Sequence, residues 1–197
     1  MGGALSAFAV DEDFIRNKYL IENIPVISID DMKNQYEPSE TILYMGIGYK
    51  KAGLIREKFF NTLRAAGYHF ASYIHPTAVI FDKKKIGEGN IILENVVIEA
   101  RCSIGNANLF FAGVIIGHDN EIGNFNTFSI NACTAGAVHV GNRAFFGVGS
   151  SVRDSVDISD AAFVGAGSYV DRSLPESVVY VPSRSYILEG RNSIDIW

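Results

Sequence analysis

Residues 86–123 read IGEGNIILENVVIEARCSIGNANLFFAGVIIGHDNEIG, and an isoleucine or phenylalanine falls on every sixth position of that stretch. Carried outward in both directions, the same register holds from Ile80 to Val170. Fifteen of its sixteen positions are Ile, Val or Phe, and Thr134 is the exception. In a chain that is 48% hydrophobic overall, one register does this by chance with a probability on the order of 10⁻⁴. Two further columns accompany it. Glycine follows the apolar residue at Gly87, Gly105, Gly117, Gly123, Gly141, Gly147 and Gly165, where it permits a tight corner between short strands. The residue two before is small at Ala78, Cys102, Ala132, Ala144, Ser150, Ala162 and Ser168. Three short strands per coil, each giving one large and one small inward residue to a narrow triangular prism, describe a parallel β-helix.

A chain of 197 residues can bury its own core without a disulfide or metal staple. Its net charge of -5, from 17 Lys+Arg against 22 Asp+Glu, excludes the basic stripe that nucleic-acid binding needs; Lys83, Lys84 and Lys85 form the longest basic run. The opening MGGALSAFAVDEDF lacks a basic n-region, and Asp11, Glu12 and Asp13 break its apolar stretch, so a cytoplasmic location is expected. Cys102 and Cys133 fit no ligand spacing and are expected as small core or edge residues. Ahead of the repeat, Ala7–Val10, Pro25–Asp30 and Thr41–Met45 read as strands. Lys50–Ala66 reads as an amphipathic helix on Leu54, Ile55, Phe59 and Leu63, closed by Gly67. Phe70–Ile74 is a last strand. The expected organisation is a small α/β domain with a parallel sheet over 1–74, the β-helix over 75–173 and a capping segment over 174–197.

The hexad array resembles the hexapeptide-repeat, left-handed β-helix acyltransferases, over about half of the chain and without an insertion; the left-handed crossover is an exception to the usual rule. An α/β domain ending in YHFASYIHPTAVI (68–80) and running straight into hexads resembles, more narrowly, the members that acetylate nucleotide-linked amino sugars or sialic acids. The resemblance implies acetyl-CoA as co-substrate, a homotrimer, no metal, no nucleic acid and no membrane insertion, in the service of surface polysaccharide or glycan synthesis. Members of this group open with a strand and a GxGGxG loop. Here Met1-Gly2-Gly3 already precedes what looks like their second strand, so the Rossmann-like domain is expected to be shortened, or a GxGGxG to lie upstream of Met1. Gly46-Ile47-Gly48 offers a lone GxG, open to two readings, a substrate contact or a plain strand-to-helix turn.

Acetyl transfer needs a base near neutral pH, and four histidines are available. His69 and His75 flank the domain junction and are expected to be structural. His118 lies two residues after the inward Ile116, occupies neither inward column, and so projects from the prism. With Asp119 it matches the family's His-acidic motif, in which histidine is the base and the carboxylate orients it. His139 lies roughly 10 Å away, from 3.3 Å per residue and one strand spacing, too far to share a metal within one chain. That disposes of the zinc carbonic anhydrase type of β-helix.

By the same resemblance the pantetheine arm of CoA lies between subunits against Gly136, Val148 and Ala166. Many relatives carry a second histidine nine residues after the base, where this chain has Thr127, so Thr127 is expected at the acetyl-CoA contact. Phe111, Phe125 and Phe145 fall in outward columns and are expected to be buried between subunits or to shape the acceptor pocket. The function expected is N-acetylation of an amino sugar with His118 as general base; sugar O-acetylation and a non-catalytic scaffold are the alternatives.

Overall fold

In a computed structural model of the chain, residues 5–12, 15, 20–51, 53–185 and 189 are described. The Met1-Gly2-Gly3 opening, and most of the capping segment beyond residue 185, lie outside the described residues. From Tyr73–Ile74 to Val179–Tyr180 the chain winds through two-residue strands gathered into three parallel sheets. The first face is built on Tyr73, Ile91, Leu109, Thr127, Phe145, Phe163 and Val179. The second carries Val79, Val97, Ile115, Cys133, Ser151 and Tyr169, and the third Ser103, Glu121, His139 and Asp157. Partners are eighteen residues apart through Val152↔Val170 and sixteen apart at Ile158↔Leu174 and Val164↔Tyr180. Leu174 thus takes its buried, inward place two residues early, and coil pairing runs past the expected limit at 173.

Every sixth residue from Gly89 to Gly167 has a positive φ, most of them not glycine: Arg101, Asp119, Phe125 and Arg143 are examples. A left-handed L-residue costs roughly 1–2 kcal/mol, offset from Ala107 to Ala161 because its N–H donates to a carbonyl of the coil below, as Asp119 does to Ala100 and Ala137 to His118. The glycines after the apolar column serve a different purpose from the one expected. They do not take the left-handed conformation. A Cβ at Gly105 would stand 2.6 Å from the Gly123 carbonyl oxygen, and one at Gly117 2.6 Å from that of Ala135. Coils stack this closely only where no side chain intervenes.

Inside the prism Phe110, Phe128 and Phe146 stack with centroids 5.1 and 4.3 Å apart. The corner between the third and first faces holds two asparagine ladders. Asn90, Asn108 and Asn126 are fully buried; each Oδ1 accepts the backbone N–H eighteen residues on, from Asn108, Asn126 and Ala144. Outside them a second ladder runs the other way: Oδ1 of Asn124, Asn142 and Asp160 accepts the backbone N–H eighteen residues earlier, from Asn106, Asn124 and Asn142. Satisfied buried amides of this kind make the corner rigid, and the α/β unit sits on it.

That unit contains β1 (Phe8–Val10), β2 (Leu20–Ile21), β3 (Ile24–Ser28), α1 (Ile29–Gln35), β4 (Ile42–Tyr44), α2 (Leu54–Ala65) and β5 (His69–Ala71). Instead of one parallel sheet there are two small ones: β1 parallel and β2 antiparallel to β3, and β4 parallel to β5. The strand read over Pro25–Asp30 stops at Ser28, whose hydroxyl accepts from Asp31 N at 2.8 Å and caps α1. Helix α2 buries Arg56, Phe60 and Leu63, while Leu54 is 52% exposed, so its inward stripe is rotated from the expected one. Phe60 packs on Phe70 and on Phe125. Phe125 is therefore covered by its own chain's α/β unit and not held free for a partner. Phe145 is half-buried beneath Tyr49, 5.3 Å between centroids. No helix among the described residues is long and apolar enough to cross a membrane.

Candidate active site

His118 stands where the second face turns into the third. Ile116 is fully buried two residues before it, and fully buried Asn120 lies two residues after. The Asn120 amide donates to the carbonyls of Gly117, His118 and Ala135, which pins the main chain under the imidazole. The side chain of His118 is 58% exposed. Its Nδ1 lies 2.8 Å from Asp119 Oδ2, and Asp119 is turned outward by its left-handed φ of 60°. Arg101, one coil below, donates to both carboxylate oxygens of Asp119. Arg101 first, and the His118 contact second, hold the Asp119 carboxyl well below the usual carboxylate range. Asp119 is thus an anion at neutral pH, and His118 donates to it through Nδ1–H; in the neutral ring this puts the lone pair on Nε2.

Gly136 lies one coil above. A Cβ there would be 2.7 Å from His118 Nε2, so the imidazole occupies the space that only a glycine leaves. Gly136→Ala pushes the far end of a surface side chain, costs the fold less than about 1 kcal/mol and shifts the ring; kcat falls about tenfold, checked by steady-state turnover beside a thermal melt.

Val148 and Ala166, both exposed, stack at the corner between the first and second faces. The second face, with Ile115 45% and Tyr169 60% exposed, separates them from His118 and Gly136. The other expected contacts lie elsewhere. Thr127 is 2% exposed, and its Oγ1 accepts from Arg56 at 3.1 Å; packed under α2, it presents no free hydroxyl to a thioester. Arg56, fully buried, also donates to the carbonyls of Phe125 and Asn126 on the prism and, through Nη1, to those of Ile47 and Gly48 at 3.4 and 3.1 Å. Burial lowers its pKa to about 10, so it remains a cation. The Gly46-Ile47-Gly48 loop is thereby fastened to the corner between the third and first faces. Gly53 lets α2 begin there: its φ is 73°, and a Cβ would be 2.9 Å from the Phe125 oxygen. One chain therefore carries His118 and the glycine loop at two different corners of the prism.

His69 contacts Arg64 and His75 contacts Thr77, both at the junction. His139 lies between Glu121 and Asp157, 3.8 and 3.3 Å away, in an open groove of about 380 Å³. No group of three or more His, Cys, Asp or Glu side chains is placed to hold a metal among the described residues. Burial raises the thiol pKa of Cys102 and of Cys133, leaving neither poised as a nucleophile. Arg56, Arg101 and Asn120 were not among the expected site residues. Arg101 is eighteen residues before Asp119, a spacing that the coil length makes adjacent.

No protein-family model and no curated protein matches the chain. Among solved structures, a histidine-to-asparagine variant of perosamine N-acetyltransferase from Caulobacter crescentus, in complex with CoA and GDP-perosamine, is 30% identical with a TM-score of 0.75, over 83% of this chain and 77% of that one. The chain belongs to the hexapeptide-repeat sugar acyltransferases. The fold is also shared with WeeI from Acinetobacter baumannii, at 24% identity and a TM-score of 0.75 over 87% of this chain and 80% of that one. The acetyltransferase domain of PglB from Neisseria gonorrhoeae shares it too, at 17% identity and a TM-score of 0.58 over 89% and 83%.

Proposed function

We propose that this acyltransferase moves the acetyl group of acetyl-CoA onto the amine of a nucleotide-linked amino sugar, with His118 as general base. The observation that carries the reading is the His118–Asp119 corner, with Nε2 unpaired, in a chain 30% identical to an enzyme crystallised with CoA and GDP-perosamine. The neutral amine adds to the thioester carbonyl and a C–N bond forms. His118 Nε2 takes the proton from that nitrogen, the C–S bond breaks, and the imidazolium returns the proton to the departing CoA thiolate. Asp119 holds the ring in the tautomer this requires. Gly136, Val148 and Ala166 are the positions along which the pantetheine arm would run, beside the second face.

A sugar nucleotide held at the Gly46–Gly48 loop does not reach His118 of the same chain, because the third face of the prism lies between them. The acceptor site is therefore composite, with the loop from one protomer and His118 from the next in a homotrimer. The exposed apolar side chains Val79, Ile115, Ile130 and Tyr169 suit such an interface.

The test is thiol release from acetyl-CoA against a panel of GDP-, UDP- and dTDP-linked 3-amino and 4-amino sugars and their hydroxyl counterparts. Turnover with one amino sugar and not with its hydroxyl counterpart is the expected result; turnover with a hydroxyl acceptor alone would make the enzyme an O-acetyltransferase.

A further inference from the structure

Asp119 does not stand alone behind His118. Arg101 occupies the same corner position one coil below, and the two residues share the left-handed conformation, with φ of 62° and 60°. Their side chains therefore leave the prism side by side. Arg101 Nε donates to Asp119 Oδ1 at 2.5 Å and Nη2 donates to Oδ2 at 2.6 Å, a two-pronged contact that fixes the carboxylate plane. The same Oδ2 accepts from His118 Nδ1, and the ring rests in the space left by Gly136.

We propose that Arg101 is the positioning residue of the base: it clamps Asp119 so that His118 is held in one orientation and one tautomer, with Nε2 free. The proposal rests on His118 being the base. Stability alone does not account for the contact, because the Arg101 side chain is 67% exposed and ion pairs this open contribute little to folding. A lone carboxylate beside an imidazole is free to swing about its χ angles. Two donors from Arg101 remove that freedom, and a guanidinium does so where an ammonium, a point charge, does not.

The clamp also sets the charge that His118 meets. With Arg101 in place the carboxylate is neutralised as well as oriented. The other ionisable groups around this corner are Glu99 and Cys102 on the coil below, Glu121 on the following strand, and Arg153 with Asp154 two coils above. None of these makes a hydrogen bond to Asp119 or to the His118 ring among the described residues.

The test uses the full chain with Arg101→Gln and Arg101→Lys, read by turnover with acetyl-CoA and the acceptor that the wild type accepts. It is read in parallel by ¹⁵N NMR of histidine-labelled protein without substrates. For Arg101→Gln we expect kcat to fall about tenfold with each KM within about twofold. The melting temperature stays unchanged, and Arg101→Lys lies between glutamine and wild type. In the NMR spectra the wild-type ring is protonated at Nδ1 alone, and Arg101→Gln is a mixture of tautomers. Unchanged kcat with the single Nδ1-protonated tautomer retained in Arg101→Gln would overturn the proposal, as would a loss confined to the KM for acetyl-CoA, which would make Arg101 a cofactor contact. If the wild type transfers no acetyl group, the proposed reaction fails, and the NMR comparison alone decides the role of Arg101.

Discussion

Replacing His118 with alanine lowers kcat for acetyl transfer by about 10³-fold, with the fold and acetyl-CoA binding retained. The magnitude follows from what is removed. Nε2 is the basic nitrogen at this corner that Asp119 leaves unpaired, and no neighbouring imidazole can replace it: His139 stands between Glu121 and Asp157 on the third face. Stability is spared because the His118 side chain is more than half exposed, and its loss leaves the coil hydrogen bonds of Ala137 and Asp119 in place. Steady-state thiol release beside a thermal melt checks both halves. Activity within tenfold of wild type would remove His118 from the role of base, and a collapsed melt would show that it holds the coil together.

Arg56→Met is expected to cost about 3–5 kcal/mol, although it exchanges a charge for an apolar side chain of similar length. Arg56 is fully buried without a carboxylate partner among the described residues. What it supplies is donors to the carbonyls of Phe125 and Asn126 and to the hydroxyl of Thr127, groups enclosed between α2 and the prism. Methionine leaves these acceptors unpaired in a place water does not reach. The carbonyls of Ile47 and Gly48 lie in an exposed loop and regain water, which limits the loss. Because Arg56 spans the joint, the destabilisation falls on the α/β unit, whose urea transition separates from that of the prism. A single transition shifted by less than about 1 kcal/mol would mean that the apolar contacts of Phe60, Phe70 and Phe125 carry the joint alone.

The prism was legible because its signal is a strict period: the inward column from Ile92 to Val170, Thr134 included, is buried in the structure. The outward placement of His118 follows from the same register, since two residues past an inward position the chain is already at a corner. The period misled in one respect. Glycine after the column suggested the tight corner between short strands, whereas the left-handed residue comes two positions later and is mostly not glycine. Contacts across coils were harder to see, because the side-chain partner of residue i is i+18. The asparagine ladders and the Arg101–Asp119 pair are plain at that spacing and invisible at six.

The α/β unit was read less well. Its strands are two to five residues long, too short for alternation to separate a strand from the first turn of a helix, as at Ser28. On α2 the run LIREKFF offers two apolar stripes, and the choice between them was made by an arginine whose partners lie 69 to 71 residues further on. Thr127 shows the same limit. The family resemblance put it at the acetyl-CoA contact, nine residues after His118, and only the folded chain shows α2 lying over it.

Acetyl transfer to a nucleotide-linked amino sugar at the His118 corner is tested by identifying the product. The full-length protein is incubated with acetyl-CoA and GDP-perosamine, then with the other amino-sugar nucleotides of the panel, and the acceptor is analysed by mass spectrometry and NMR. One acceptor carrying a single new acetyl group in amide linkage to the sugar nitrogen is expected, formed by wild type and not by His118→Ala. Folded wild-type protein that binds acetyl-CoA and yet acetylates none of these acceptors, or that forms the same amide equally well without His118, would contradict it.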